Sequence, residues 1–218
     1  MNFSSLRRLS SLALFAASAA CGAPPPAPLR SEFVDPALPE VAAIRQAGEG
    51  AAAAVGKKLI TALNTALAAG GPEAAVLVCQ TQALPLTAEK LADQPTLVSV
   101  KRTSLRLRNP ANAPDAAERL ALDHVAKLVA AGQPPPSVLV QRIQSAGTPA
   151  PEWRVYRPIA TKAECLVCHG DPATQSPALR TALQTRYPAD AATGYAADQW
   201  RGLFRVTISP APVPSARP

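Results

Sequence analysis

Val138-Leu139-Val140-Gln141-Arg142-Ile143-Gln144 and Trp153-Arg154-Val155-Tyr156-Arg157-Pro158-Ile159 stand on either side of a connection containing Gly147, Pro149 and Pro151. Short runs rich in β-branched and aromatic residues, separated by turn formers, predict a pair of antiparallel strands. Two further stretches carry the same signal. Thr96 to Thr103 alternates, with Val98 and Val100 set against Ser99 and Lys101, and Gly202 to Ile208 places Phe204, Val206 and Ile208 on one face.

Helical periodicity fills the rest. Ile44, Ala47, Ala51, Val55, Leu59, Ala62 and Ala66 recur at helical spacing from Val41 onward, until Gly70-Gly71 stops the helix. Pro72 then suits the first turn of a shorter helix, Glu73 to Gln82, with Val76, Cys79 and Ala83 along one face; Pro85 ends it and a further turn follows at Ala88 to Ala92. Asn109 to Pro114 reads as a turn-forming loop, with Asn109 and Asn112 as turn chemistry. The helix Asp115 to Ala131 is acidic at its start and is closed by Gly132 and three prolines. Thr161 to Pro177 reads as a loop and Ala178 to Thr185 as a short helix. This order predicts an α+β domain, an antiparallel sheet with helices on one side, and the chain shows no internal repeat.

The ends are different in kind. Arg7 and Arg8 precede the apolar run Leu9 to Ala20, the layout of a secretory signal over residues 1–20. Ser18-Ala19-Ala20-Cys21 resembles a lipobox, which makes Cys21 a candidate lipidated residue; plain cleavage after Ala17-Ser18-Ala19 is the alternative. The expected organisation is a Pro-rich tether over 21–36, a domain over 37–209 and a disordered tail over 210–218, in a periplasmic protein that meets the membrane only through a lipid at Cys21. Removing Arg7 and Arg8 lowers the formal net charge from +7 to about +5. No lysine or arginine cluster is dense enough for a nucleic-acid surface.

Cys165-Leu166-Val167-Cys168-His169 is C-x-x-C-H, the attachment signature of c-type haem. Two thiols one turn apart add across the two vinyl groups of protoporphyrin, and the adjacent imidazole reaches the iron. The alternatives are a redox C-x-x-C, which lacks its βαβ context, a zinc site completed by Cys79 and His124, and a simple disulfide. One covalent haem c is the expectation. Its second axial ligand is not methionine, because Met1 in the signal is the only one. Cys79 and His124 remain; His124 sits at the edge of an apolar arc, as surface histidines do, and on composition alone Cys79 reads first as an inert buried thiol.

Four stretches give the chain a family likeness. They are Val76 to Cys79; Val100 to Asp115, with its Arg102, Arg106, Arg108, Asn109 and Pro110; Cys165 to Gly170; and Tyr187-Pro188-Ala189-Asp190-Ala191-Ala192-Thr193-Gly194-Tyr195, leading to Arg201-Gly202. On these the chain resembles the haem c-binding, PAS-like family catalogued as domain of unknown function 3365, although Ala196 to Trp200 is less glycine-rich than the family. The resemblance implies a PAS-like antiparallel sheet with flanking helices and a long N-terminal helix. It also implies a His/Cys axial pair, His169 and Cys79. Arg102, Arg106 and Arg108 are candidates for haem propionate or structural carboxylate contacts, and Tyr187, Asp190 and Tyr195 for shaping the haem pocket. A thiolate ligand lowers the potential, so low-potential electron transfer with a redox partner protein is the leading function. A haem-based sensor of redox state or a diatomic gas, acting through a separate partner, comes second. A periplasmic redox enzyme comes last, since a single haem argues against multi-electron catalysis.

Overall fold

The computed structural model describes residues 30–81, 97–148 and 150–209. The signal segment, Cys21, Pro85, the turn at Ala88 to Ala92 and the tail 210–218 lie outside the described residues. Among the described residues, five strands and four α-helices follow one another as β1 (Arg30–Val34), α1 (Ala42–Thr81), β2 (Leu97–Thr103), α2 (Ala116–Ala130), β3 (Leu139–Gln144), β4 (Glu152–Ala160), α3 (Ala163–His169), α4 (Pro177–Arg186) and β5 (Trp200–Ile208). The strands form one antiparallel sheet in the order β1-β3-β4-β5-β2. This is the α+β class that the strand and helix patterns predict.

Register makes the sheet's core visible. Val34 pairs with Val140, Val140 with Val155, Val155 with Val206, and Val206 with Val100, so a row of valines crosses all five strands. Directly opposed β-branched side chains pack well on a pleated surface, and here Val41, just before α1, and Ala51, Ala52 and Val55 of α1 cover them. The approach is close at its centre: a Cβ on Gly48 would lie 2.3 Å from the Cβ of Val155. Farther along, α1 breaks where its sequence breaks. Gly71 has φ 70°, a left-handed conformation that a side chain disfavours, and Pro72 opens the turns that carry Cys79.

The helices do not lie on one side of the sheet. On the face opposite α1, Ala121, Leu122 and Val125 of α2 pack on Leu139, Tyr156 and Leu203. The reason lies in the strands: Leu139-Val140 and Val155-Tyr156 are apolar on both faces, so each face needs a cover. A second correction concerns the Pro-rich tether expected over 21–36. Arg30–Val34 instead pairs with β3 as an edge strand, with Arg30 and Glu32 exposed and Val34 joining the valine row.

α2 begins on a capping box, Asp115 accepting from Glu118 N and Glu118 accepting from Asp115 N. Glu118 is fully buried and also takes Lys101 Nζ at 2.7 Å and Arg205 Nε at 2.9 Å, so one carboxylate ties α2 to β2 and β5. By length and composition Pro39–Cys79 is apolar enough to cross a membrane. Part of this surface packs on the sheet or walls the cavity, while Ile60 and Leu77 are exposed.

Candidate functional site

Cys165, Cys168 and His169 lie on a helix rather than in the loop expected over Thr161 to Pro177. α3 is barely two turns long, but it places the two cysteines one turn apart and the histidine next to the second. All three line a cavity of about 650 Å³ bounded by α1, the ends of β2, β4 and β5, and the turns after the Gly70-Gly71 break. Cys79 lines the same cavity, as do Arg102, Arg108, Tyr187 and Arg201. Among the described residues Cys79, Cys165 and Cys168 are unbridged. His124 is not part of the lining; its ring lies 4.9 Å from that of Phe33.

The imidazole of His169 is held by backbone. Its Nδ1 lies 2.7 Å from the carbonyl oxygen of Ala192, which fixes Nδ1 as the protonated nitrogen and leaves the Nε2 lone pair available to a metal. The segment that supplies this carbonyl is itself tied down. Tyr195 N donates to His169 O at 2.9 Å, Gly194 N to Gly170 O at 2.7 Å and Ala191 N to Leu107 O at 2.8 Å. Arg108 pairs with Asp190 at 2.9 Å and donates to Cys168 O at 2.6 Å, while Arg106 donates to the carbonyls of Ala191 and Thr193. The guanidinium of Arg106 stacks 4.3 Å over Tyr195, whose ring stands edge-on to His169 at 6.3 Å. The arginine stretch and the Tyr-Pro-Ala-Asp-Ala-Ala-Thr-Gly-Tyr stretch, about 80 residues apart in sequence, are therefore two halves of one brace behind the histidine. Arg106 and Tyr195 belong to that brace and not to the cavity lining.

Charge and burial set the protonation states. Burial, then the positive charges of Arg108 and Arg201, lower His169 to about 3, so the ring is neutral at ordinary pH. Burial raises Cys168 to about 11. Burial likewise raises Cys79, with Arg102 and Arg108 pulling the other way. The set is thus two thiols at helical spacing, a neutral imidazole with a free nitrogen, and a third sulfur under the influence of two guanidinium groups.

Arg201 was not singled out by the sequence, although it falls in one of the distinctive stretches. Its placement depends on the next residue. A Cβ on Gly202 would lie 2.4 Å from Thr103 O, so only glycine lets β2 and β5 close up there, and Ser104 Oγ then donates to Arg201 O at 2.8 Å. Glycine after arginine in a strand is the signal that marks this close approach, but it does not reveal what the arginine faces.

No curated protein matches the chain. Among solved structures, the crystal structure of the cyanobacterial heme-protein Tll0287 superposes with a TM-score of 0.52 at 23% identity, over 80% of this chain and 98% of that one, a likeness of fold. The profile of the Tll0287-like family matches residues 35–209, a span that opens just after β1, closes just after β5, and contains every cysteine, histidine and arginine of the cavity. The chain belongs to the Tll0287-like family.

Proposed function

We propose that the chain is an exported monohaem c-type cytochrome, with its haem joined to Cys165 and Cys168, His169 and Cys79 as axial ligands, and low-potential electron transfer as its task. The observation that carries the reading is the C-x-x-C-H turn on the wall of a cavity that also takes in Cys79. The residues fit the group. About 650 Å³ lies within the range of roughly 300–1,000 Å³ usual for cofactor sites. The walls are mostly aliphatic along α1, and the unpartnered Nε atoms of Arg102 and Arg201 are donors for acidic substituents. The structural relative is a heme-protein by name.

When bound, the haem supplies a one-electron redox couple; this chain's residues set its surroundings. His169 presents Nε2 because Ala192 holds Nδ1. Cys79, as a thiolate, donates negative charge, which favours the oxidised form and lowers the potential. Arg102 and Arg108 lie close enough to favour that thiolate. Leu59, Ile60 and Leu63 keep that side of the cavity apolar, which limits solvent reorganisation around the redox centre.

The test begins with the exported protein. Its mass and pyridine haemochrome spectrum should show one covalent haem, absent from Cys165→Ser/Cys168→Ser. Ferric Cys79→Ala should lose the wild-type low-spin EPR signal, and His124→Ala should keep it. The reverse pattern overturns the axial assignment. Export and lipidation at Cys21 are checked by cell fractionation and by labelling with a radioactive fatty acid.

A sensor reading draws on one observation, the glycine break just before the turns that carry Cys79. A ligand on a short, jointed segment is one that can leave. In that case ferrous protein binds CO with loss of the thiolate spectrum; refusal of CO leaves the carrier reading alone.

A further inference from the structure

Several arginines near the cavity have anions or carbonyls to hold. Arg106 and Arg108 bind the 190–195 segment, and Arg205, on the other face of the sheet, binds Glu118. Arg102 on β2 and Arg201 on β5 differ. Both line the cavity, and the Nε of each is shielded from solvent without a hydrogen-bond partner among the described residues. Arg102 lies opposite Phe204 in register and two residues beyond Val100, so its side chain rises from the α1 face of the sheet. Arg201 is oriented by a bond from its Nη1 to Ser104 Oγ and by the Tyr195 ring, 5.3 Å from its guanidinium carbon, and these contacts leave Nε unused. Glu164 is the one carboxylate among the lining residues, and neither Nε bonds to it. Asp190, another carboxylate whose charge acts on Arg201, is already paired with Arg108.

Two guanidinium groups whose Nε atoms are shielded from water without an acceptor carry a desolvation cost that an apolar occupant would worsen. Their planar forks match carboxylates. We propose that Arg102 and Arg201 form a carboxylate clamp at the β2–β5 end of the cavity, which receives the carboxylate side chains of a tetrapyrrole. The identity of that ligand rests on the haem reading; the demand for an anion at this wall rests on the two arginines alone.

The test uses metal-free protoporphyrin IX and its dimethyl ester, titrated by fluorescence into the full chain produced without attached haem. Neither probe has an iron for His169 or Cys79 to bind, so the readout isolates the carboxylates. Free acid should bind about tenfold or more tightly than ester. Arg102→Gln/Arg201→Gln should erase that preference, and Arg102→Lys/Arg201→Lys should restore part of it, since lysine keeps the charge but lacks the fork. Equal binding of acid and ester by the wild-type chain, or binding of neither, overturns the clamp. So does a preference that persists in a glutamine variant with unchanged circular dichroism. Should the glutamine variant fail to fold, the wild-type and lysine comparisons decide. The parent reading fails on a different result, an exported wild-type protein without covalent haem.

Discussion

The two faces of the sheet treat buried charge in opposite ways. Under α2, the fully buried carboxylate of Glu118 meets Lys101 Nζ, Arg205 Nε and Asp115 N. Beside it Tyr156 OH donates to Gln141 Oε1 at 2.7 Å, deep in the same face. Across the sheet, beyond the valine row, Arg102 and Arg201 keep donors that nothing in the described chain accepts, and His169 is pressed into neutrality by burial and by arginines. The first arrangement is closed and holds the fold. The second is open and has capacity for a ligand. A buried charge is informative about function only when its partners are missing, since a satisfied one stabilises or merely breaks even.

The comparison breaks most easily at Glu118. Glu118→Ala leaves Lys101 and Arg205 without their carboxylate, with only the neutral oxygens of Ala113, Ser99 and Thr207 to donate to, and should cost about 3–5 kcal/mol in chemical denaturation, the usual penalty for removing one partner of a buried pair. Arg201→Gln removes a charge that has no anion in the described chain, and in the haem-free chain should cost less than about 1 kcal/mol or stabilise it. If the two losses are equal, the contrast between closed and open faces is wrong.

Much of this was legible in the sequence, and the exceptions share a cause. The break in α1 was written in Gly70-Gly71-Pro72, and the start of α2 in Asp115 and Glu118, because capping and backbone freedom are local properties. The strands β3, β4 and β5 were legible from alternation. Which face each helix covers was not, because Leu139-Val140 and Val155-Tyr156 are apolar on both sides. β1 was hidden by its length and its charges; only its pairing with residues 140–144 of β3 makes Arg30–Val34 a strand. In the site, C-x-x-C-H marked the two cysteines and the histidine that line the cavity, whereas nothing marked the brace. Arg106 and Arg108 were candidates for haem propionate or structural carboxylate contacts; Arg108 takes the carboxylate of Asp190, but the other partners, the carbonyls of Ala191 to Thr193, are backbone groups that no side-chain pattern marks.

A smaller effect probes the open face through pH. In the haem-free chain His169 stays neutral down to about pH 3, against roughly 6.5 when unfolded. Between those values the unfolded chain binds the extra proton, so stability falls as pH drops from about 6.5 towards 3. The slope for one such group approaches about 1.4 kcal/mol per pH unit. Denaturation at pH 7 and pH 5 should therefore differ by about 1–2 kcal/mol for the wild type and by much less for His169→Gln. An equal difference in both proteins would mean that His169 is not shielded as the brace requires.

A pair of alanine substitutions separates the packed half of α1 from its solvent side. Gly48 faces Val155 so closely that an added methyl cannot fit without moving helix or strand, whereas a methyl added at Gly50, two residues on, would meet nothing within 4 Å. Gly48→Ala should destabilise by about 1–3 kcal/mol through overpacking, which outweighs the helix propensity of alanine. Gly50→Ala should stabilise by about 0.5–1 kcal/mol, because alanine only restricts the unfolded chain and favours the helix. Opposite signs for one chemical change within a single helical turn require α1 to sit where the valine row places it. Equal signs would mean that the helix stands off the sheet, and the cavity that α1 walls farther along would lose its boundary.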